Sequence, residues 1–257
     1  MNEVIDSLLN HRSIRKYSDK AIEPEVLNQI LEAGIRAPSA GNLQNYSLMV
    51  LDDKEKMDLI GKEAGAPFLT NAPMCIVAFV DYYRFKRLTE MFDAPYPFDG
   101  ADSIFIGMWD AIVALHNIQV AAEGMGLGTC YIGLILETDN KKLLGLPDHV
   151  FAAGMMSIGY PGNVPEKRTR LPLESVLHRN EYREPSDEEL KDWYKDWLAK
   201  WPNFYDRLSD EKKKHWKEEL GVSNNVQYVT KTVYTVDRLT EWSKKIEQNI
   251  RNAKYKF

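Results

Sequence analysis

Residues 102–126, DSIFIGMWDAIVALHNIQVAAEGMG, constrain this chain more than any other stretch. Ile, Ala, Val and Met recur on nearly every side of the helix that the segment predicts. A helix apolar on most faces belongs in a core or at a subunit interface. The rest of the chain must therefore supply layers that cover it, or a second copy must do so.

The covering layers are legible from periodicity. Val4, Ile5, Leu8 and Leu9 predict a short amphipathic opening helix. EPEVLNQILEAGIRA predicts a second, with Pro24 in its first turn, and KEKMDLIGKEAG and DNKKLLGLP predict two more. YSLMVLDD, PMCIVAFVD, GTCYIGLI and VFAAGMMSIGYP predict strands. Residues 82–100 mix aromatics, prolines and charges without a period and are expected to form an irregular, mobile excursion. PEKRTRLPLESVLHRN should run extended. Beyond about residue 184, tryptophans and charges dominate, and two helical stretches flank a polar middle. The expected architecture is an α+β body over residues 1–183 with a mainly helical C-terminal extension over 184–257.

Composition then excludes several functions. The formal net charge of −5 disfavours a nucleic-acid binder. Only Cys75 and Cys130 are present, both in apolar surroundings, as expected of buried thiols in a reducing compartment. The first residues carry acids and no long apolar run, so no signal peptide is expected, and MCIVAFV is too short to cross a bilayer. A cytoplasmic protein without membrane association is the expectation. No HExxH, CxxC or P-loop motif occurs and the five histidines are scattered, so no metal site is expected.

Four segments carry candidate chemistry. HRSIRKY puts His11, Arg12, Arg15 and Lys16 around Ser13, either as a solvated helix end or as an anion site. EKRTR adds a second basic group, in which Arg168 and Arg170 share a face if extended. If the two clusters converge they form a cradle for a dianion. APSAGNLQ offers Ser39, Asn42 and Gln44, either as readers of a flat heteroaromatic edge or as a turn. EGMGLGTCYIG has the spacing GxGxG after a helix, so it is not a dinucleotide fingerprint; it reads as a helix cap leading into a strand. The backbone of Tyr131, Ile132 and Gly133 is then free to face a ligand.

In order and approximate spacing, HRSIRKY, APSAGNLQNY, IGMWDAIVALHNIQVAAEGMGLGTCYIG, SIGYP and EKRTRLPLESV resemble the nitroreductase family over residues 1 to about 180. The resemblance implies a homodimer with FMN at its interface. It assigns His11, Arg12, Ser13, Arg168 and Arg170 to the ribityl phosphate and Arg15 to the flavin pyrimidine. Ser39, Asn42 and Gln44 match a loop that the partner subunit contributes, and the Tyr131–Gly133 backbone matches the stretch near N5 and O4. His11 stands where many members have arginine, and LQNY where many read Gln-Pro-Trp. The implied activity is ping-pong transfer from NADH or NADPH through FMN to a small electron-poor acceptor such as a nitroaromatic, quinone or flavin. No side chain is expected to carry the chemistry itself. The alternatives on the same scaffold are a reductive dehalogenase or another specialised flavoenzyme, and a non-catalytic FMN-binding or interaction protein.

Overall fold

The structure is a computed structural model that describes residues 2–255, with residues 202–204 described by their backbone only. The chain divides into two compact units, one of residues 1–167 with 243–257 and the other of residues 168–242.

The first unit is built on a four-stranded sheet of order β1-β2-β4-β3. The strands are β1 (Tyr46–Leu51), β2 (Met74–Val80), β3 (Gly128–Ile132) and β4 (Phe151–Gly159). Every strand pair is antiparallel. The only parallel pairing among the described residues is a single bridge between Ser13 and Thr129. β2 and β4 are central and read as unbroken apolar runs because both of their faces are covered.

Helices α1 (Glu3–Leu9) and α2 (Pro24–Ile35) come first; α3 (Lys54–Glu63) and α4 (Tyr83–Met91) flank β2; α5 is Ala101–Gly124 and α6 Asn140–Leu144. One core lies between α5, α2 and the sheet, around Ile30, Ile76, Leu115, Ile118, Met156 and Ile158. The other lies on the opposite face under α3, around Met57, Ile60, Leu69 and Met155. By length and composition α5 could cross a membrane. Here it is the central core helix, with Ser103, Asp110 and Gln119 buried on it beside its alanines.

One expectation fails. Residues 83–91, expected to be irregular, form helix α4. Its signal is weak because Thr89 is its only buried residue among the described ones; aromatic contacts secure the segment instead. Tyr82 stacks on Phe98 at 5.4 Å, Phe85 meets Phe98 edge-on at 5.3 Å, and the Tyr82 hydroxyl donates to Ser103 O at 2.8 Å.

The second unit is mainly helical, with α7 (Asp187–Trp193), α8 (Lys195–Leu198), α9 (Trp201–Asp206), α10 (Asp210–Lys214) and α11 (Asn225–Tyr228). Its expected polar middle is therefore helical too. A capping box between Ser186 and Glu189 starts α7. Trp216 packs on Tyr228 at 5.0 Å. Helix α12 (Val236–Asn252) runs back into the first unit. There Asn249 donates to Leu136 O at 3.2 Å, and Ile250 and Tyr255 enter the larger core.

Candidate functional site

Helix α1 stops at Leu9, and the chain continues along the outer edge of β3. The Ile14 amide donates to Thr129 O at 2.8 Å, which seats residues 11–15 beside the strand. Gly128 makes this approach possible: a Cβ there would lie 2.5 Å from Ile14 Cγ1 and 2.7 Å from Ile14 Cβ. The expected cap falls at Gly126, whose φ is 80° just past the end of α5, and Gly128, the first residue of β3, is a point of close chain contact.

The polar side chains of this segment are largely unspent. Ser13 Oγ, Lys16 Nζ and His11 Nε2 have no hydrogen-bond partner among the described residues. Among the described residues Arg12 donates only to Asn10 O, at 3.2 Å. The Arg15 guanidinium lies 5.8 Å from the centre of the Phe68 ring and makes no hydrogen bond among the described residues. A run of donors with this much unused capacity suits a doubly charged oxyanion, because charge-assisted bonds to its oxygens are strong and directional. The Lys167 ammonium donates to Leu9 O at 3.2 Å, at the negative end of α1. Arg168 and Arg170 follow directly. They belong to the second unit, are exposed, and have no side-chain partner among the described residues.

Beyond Thr129 the edge of β3 stays open. Backbone groups alternate along a strand, so Tyr131 turns its N–H and C=O to the same outer side as Thr129. A Cβ at Gly133 would meet no atom within 4 Å, which leaves room for a ring against the backbone. These features fit the phosphate and ring of FMN.

Ser39, Asn42 and Gln44 sit on an exposed loop with a tight left-handed course: φ is 58° at Gly41, 56° at Asn42 and 53° at Gln44. Such backbone persists only where the surroundings impose it. Two residues that sequence reasoning missed do so. Asp110, buried in mid-α5, accepts from the backbone amide of Ala40 at 3.0 Å. Burial holds the Asp110 carboxyl above the ordinary carboxylate range. Arg84 of α4 donates to Gln44 O and Tyr46 O, both at 2.6 Å. An acid inside the most apolar helix was the available signal for Asp110. The aromatics of residues 82–100 pack chiefly on one another and on Tyr255, with Phe92 exposed.

His11 does not present its whole ring to solvent. Its Nδ1 lies 2.8 Å from Glu123 Oε1, and Glu123 also accepts from the Thr129 hydroxyl at 2.6 Å and from Gln119 Nε2 at 3.0 Å. Cys75 and Cys130 are both buried, and neither is in a disulfide. No cluster of metal-binding side chains occurs among the described residues.

The chain resembles several known proteins. The FMN reductase [NAD(P)H] of Bacillus subtilis is 38% identical over 187 residues, covering 71% of this chain and 75% of its own. The solved structure of the hypothetical oxidoreductase YcnD from Bacillus subtilis superposes with a TM-score of 0.80 at 31% identity, covering 100% of this chain and 99% of its own. The NADPH:FMN oxidoreductase from Vibrio harveyi, solved with NAD+, gives 0.75 at 27% identity, with 95% and 98% covered. Residues 8–160 match the nitroreductase family, and this chain belongs to that family.

Proposed function

We propose that this chain is an FMN-dependent oxidoreductase that takes hydride from NADH or NADPH and reduces a small electron-poor acceptor. The observation that carries the reading is the set of unspent donors at His11, Arg12, Ser13 and Arg15, beside the open backbone edge of Tyr131–Gly133. Bound there, FMN supplies the two-electron chemistry. The protein supplies the rest. Arg12, Ser13 and the His11 ring hold the phosphate, with Arg168 and Arg170 as the further cations that the family resemblance assigns. Arg15 places positive charge where negative charge gathers on reduction of the pyrimidine side. The Tyr131–Gly133 backbone orients the ring's reactive edge. In this reading the acceptor's protons come from water.

The reading includes a two-fold dimer, with residues 1–183 as the flavin domain and 184–257 as an extension. Phe105, Trp109 and Val113 lie one turn apart on α5 and are 58%, 67% and 36% exposed. On α1, Val4, Ile5, Leu8 and Leu9 are exposed as well. Apolar faces of this kind call for a partner surface. A dimer would also bring the Ser39–Gln44 loop of one subunit to the flavin of the other. A cytoplasmic location agrees with two buried cysteines that are not joined in a disulfide.

The test is anaerobic. Purified protein reconstituted with FMN should bleach with NADH or NADPH and recolour with a nitroaromatic, a quinone or free flavin. Flavin that binds but never bleaches would instead mark a binding module, and protein that refuses FMN would refute the reading.

A further inference from the structure

We propose that Glu123 is a positioning residue that makes His11 do the work of an arginine at the phosphate; this rests on the FMN reading above. Glu123 sits in the last turn of α5, the negative end of the helix, where a carboxylate is disfavoured. Its side chain is only 14% exposed. A charge so placed is kept by its partners, here His11 Nδ1, the Thr129 hydroxyl and the Gln119 amide.

The arrangement determines what the histidine can offer. Gln119 Nε2 also lies 2.9 Å from His11 Nδ1. If the amide donated to that nitrogen, Nδ1 would turn a lone pair towards a carboxylate 2.8 Å away. The charge-assisted alternative wins: Nδ1–H donates to Glu123, and the amide donates to Glu123. Nδ1 then keeps its proton, and Nε2 can donate to an anion only if the ring carries a second proton. An oxyanion at Nε2 and Glu123 at Nδ1 together favour that doubly protonated, cationic ring. Other charged or titratable groups on the surrounding elements are Arg12, which donates to Asn10 O, Lys167, which donates to Leu9 O, Tyr131 on β3, which feels the Glu123 charge, and His116, 3.3 Å from Gln119. With Glu123 at one ring nitrogen and a bound oxyanion at the other, the imidazole serves as two directed donors, as a guanidinium would.

The opposite expectation is simple: removing a negative charge near a phosphate should tighten FMN. The sign of the effect therefore decides. FMN and riboflavin, which differ only in the phosphate, are titrated into the full apo-chain by flavin fluorescence. Glu123→Gln should weaken FMN about tenfold or more while leaving riboflavin within twofold. Glu123→Asp, which keeps the charge but withdraws it by one methylene, should act in the same direction and serves if the Gln variant does not fold. In a His11→Arg background the same Glu123→Gln change should no longer weaken FMN, because guanidinium needs no help to stay charged. Unchanged or tighter FMN binding by both Glu123 variants would overturn the proposal and leave the phosphate site standing. Wild-type protein that binds FMN no better than riboflavin would overturn both.

Discussion

Gly128→Ala is the sharpest test of how the phosphate segment is held. The new Cβ would lie 2.5, 2.7 and 3.0 Å from Ile14 Cγ1, Cβ and Cγ2. None of these is the free end of a flexible chain; Ile14 is β-branched, 4% exposed and bonded through its amide to Thr129 O. Restoring a normal carbon–carbon distance requires the 11–15 segment to withdraw by about 1 Å. Overpacking of this kind costs about 1–3 kcal/mol, and weakening the amide bond adds about 0.5–1.5. The stiffer unfolded chain returns about 0.4–1 kcal/mol. The net loss is about 0.5–4 kcal/mol, or roughly 1–16 °C in Tm for a chain of this size. Thermal and urea melts of the apo-protein read it directly. Ile14→Ala alone should cost about 2–5 kcal/mol, but the double variant should cost less than the sum by about 0.5–3, because the second change removes the clash made by the first. FMN affinity should fall in Gly128→Ala, since His11, Arg12 and Ser13 move with Ile14. A Gly128→Ala protein that melts within 1 °C of wild type, together with strict additivity in the cycle, would refute the close-approach argument.

Arg12→Ala should weaken FMN by about 1.5–3 kcal/mol with riboflavin affinity nearly unchanged, and so should Arg168→Ala; equal losses for both flavins would remove these residues from the phosphate. Arg15→Ala should lower the flavin midpoint potential in a redox titration, and an unchanged potential would contradict its role. Burial pushes the Cys75 thiol up to about 12, so native protein at pH 8 should react negligibly with a disulfide reagent, and both cysteines should titrate once it is denatured. Burial also raises the Asp110 carboxyl, so the folded state holds that proton more tightly than the unfolded state. Its contribution is full below the unfolded carboxylate range and is lost as pH rises through the folded value. Asp110→Asn should therefore gain stability relative to wild type as pH rises through that window, and parallel stability–pH curves would refute this.

How much was visible beforehand follows a physical division. The sequence showed the opening helix, α2, α3, α5 and the four strands because each repeats its apolar residues at its own period. Helix α4 was hidden because its support comes from Phe98 and other rings outside it. At the site, HRSIRKY announced its basic donors locally. Nothing local announced that Glu123, 112 residues from His11, would take one of its ring nitrogens. The same holds for the clasp of Asp110 and Arg84 on the 39–45 loop.

By itself the sequence determined the kinds of element, the apolar centre and the family, because periodicity and motif order are properties of neighbouring residues. The tertiary structure alone decided which donors remain unspent and which are already engaged. Hydrogen-bond partners are chosen by distance in space, and chain separation carries no record of it.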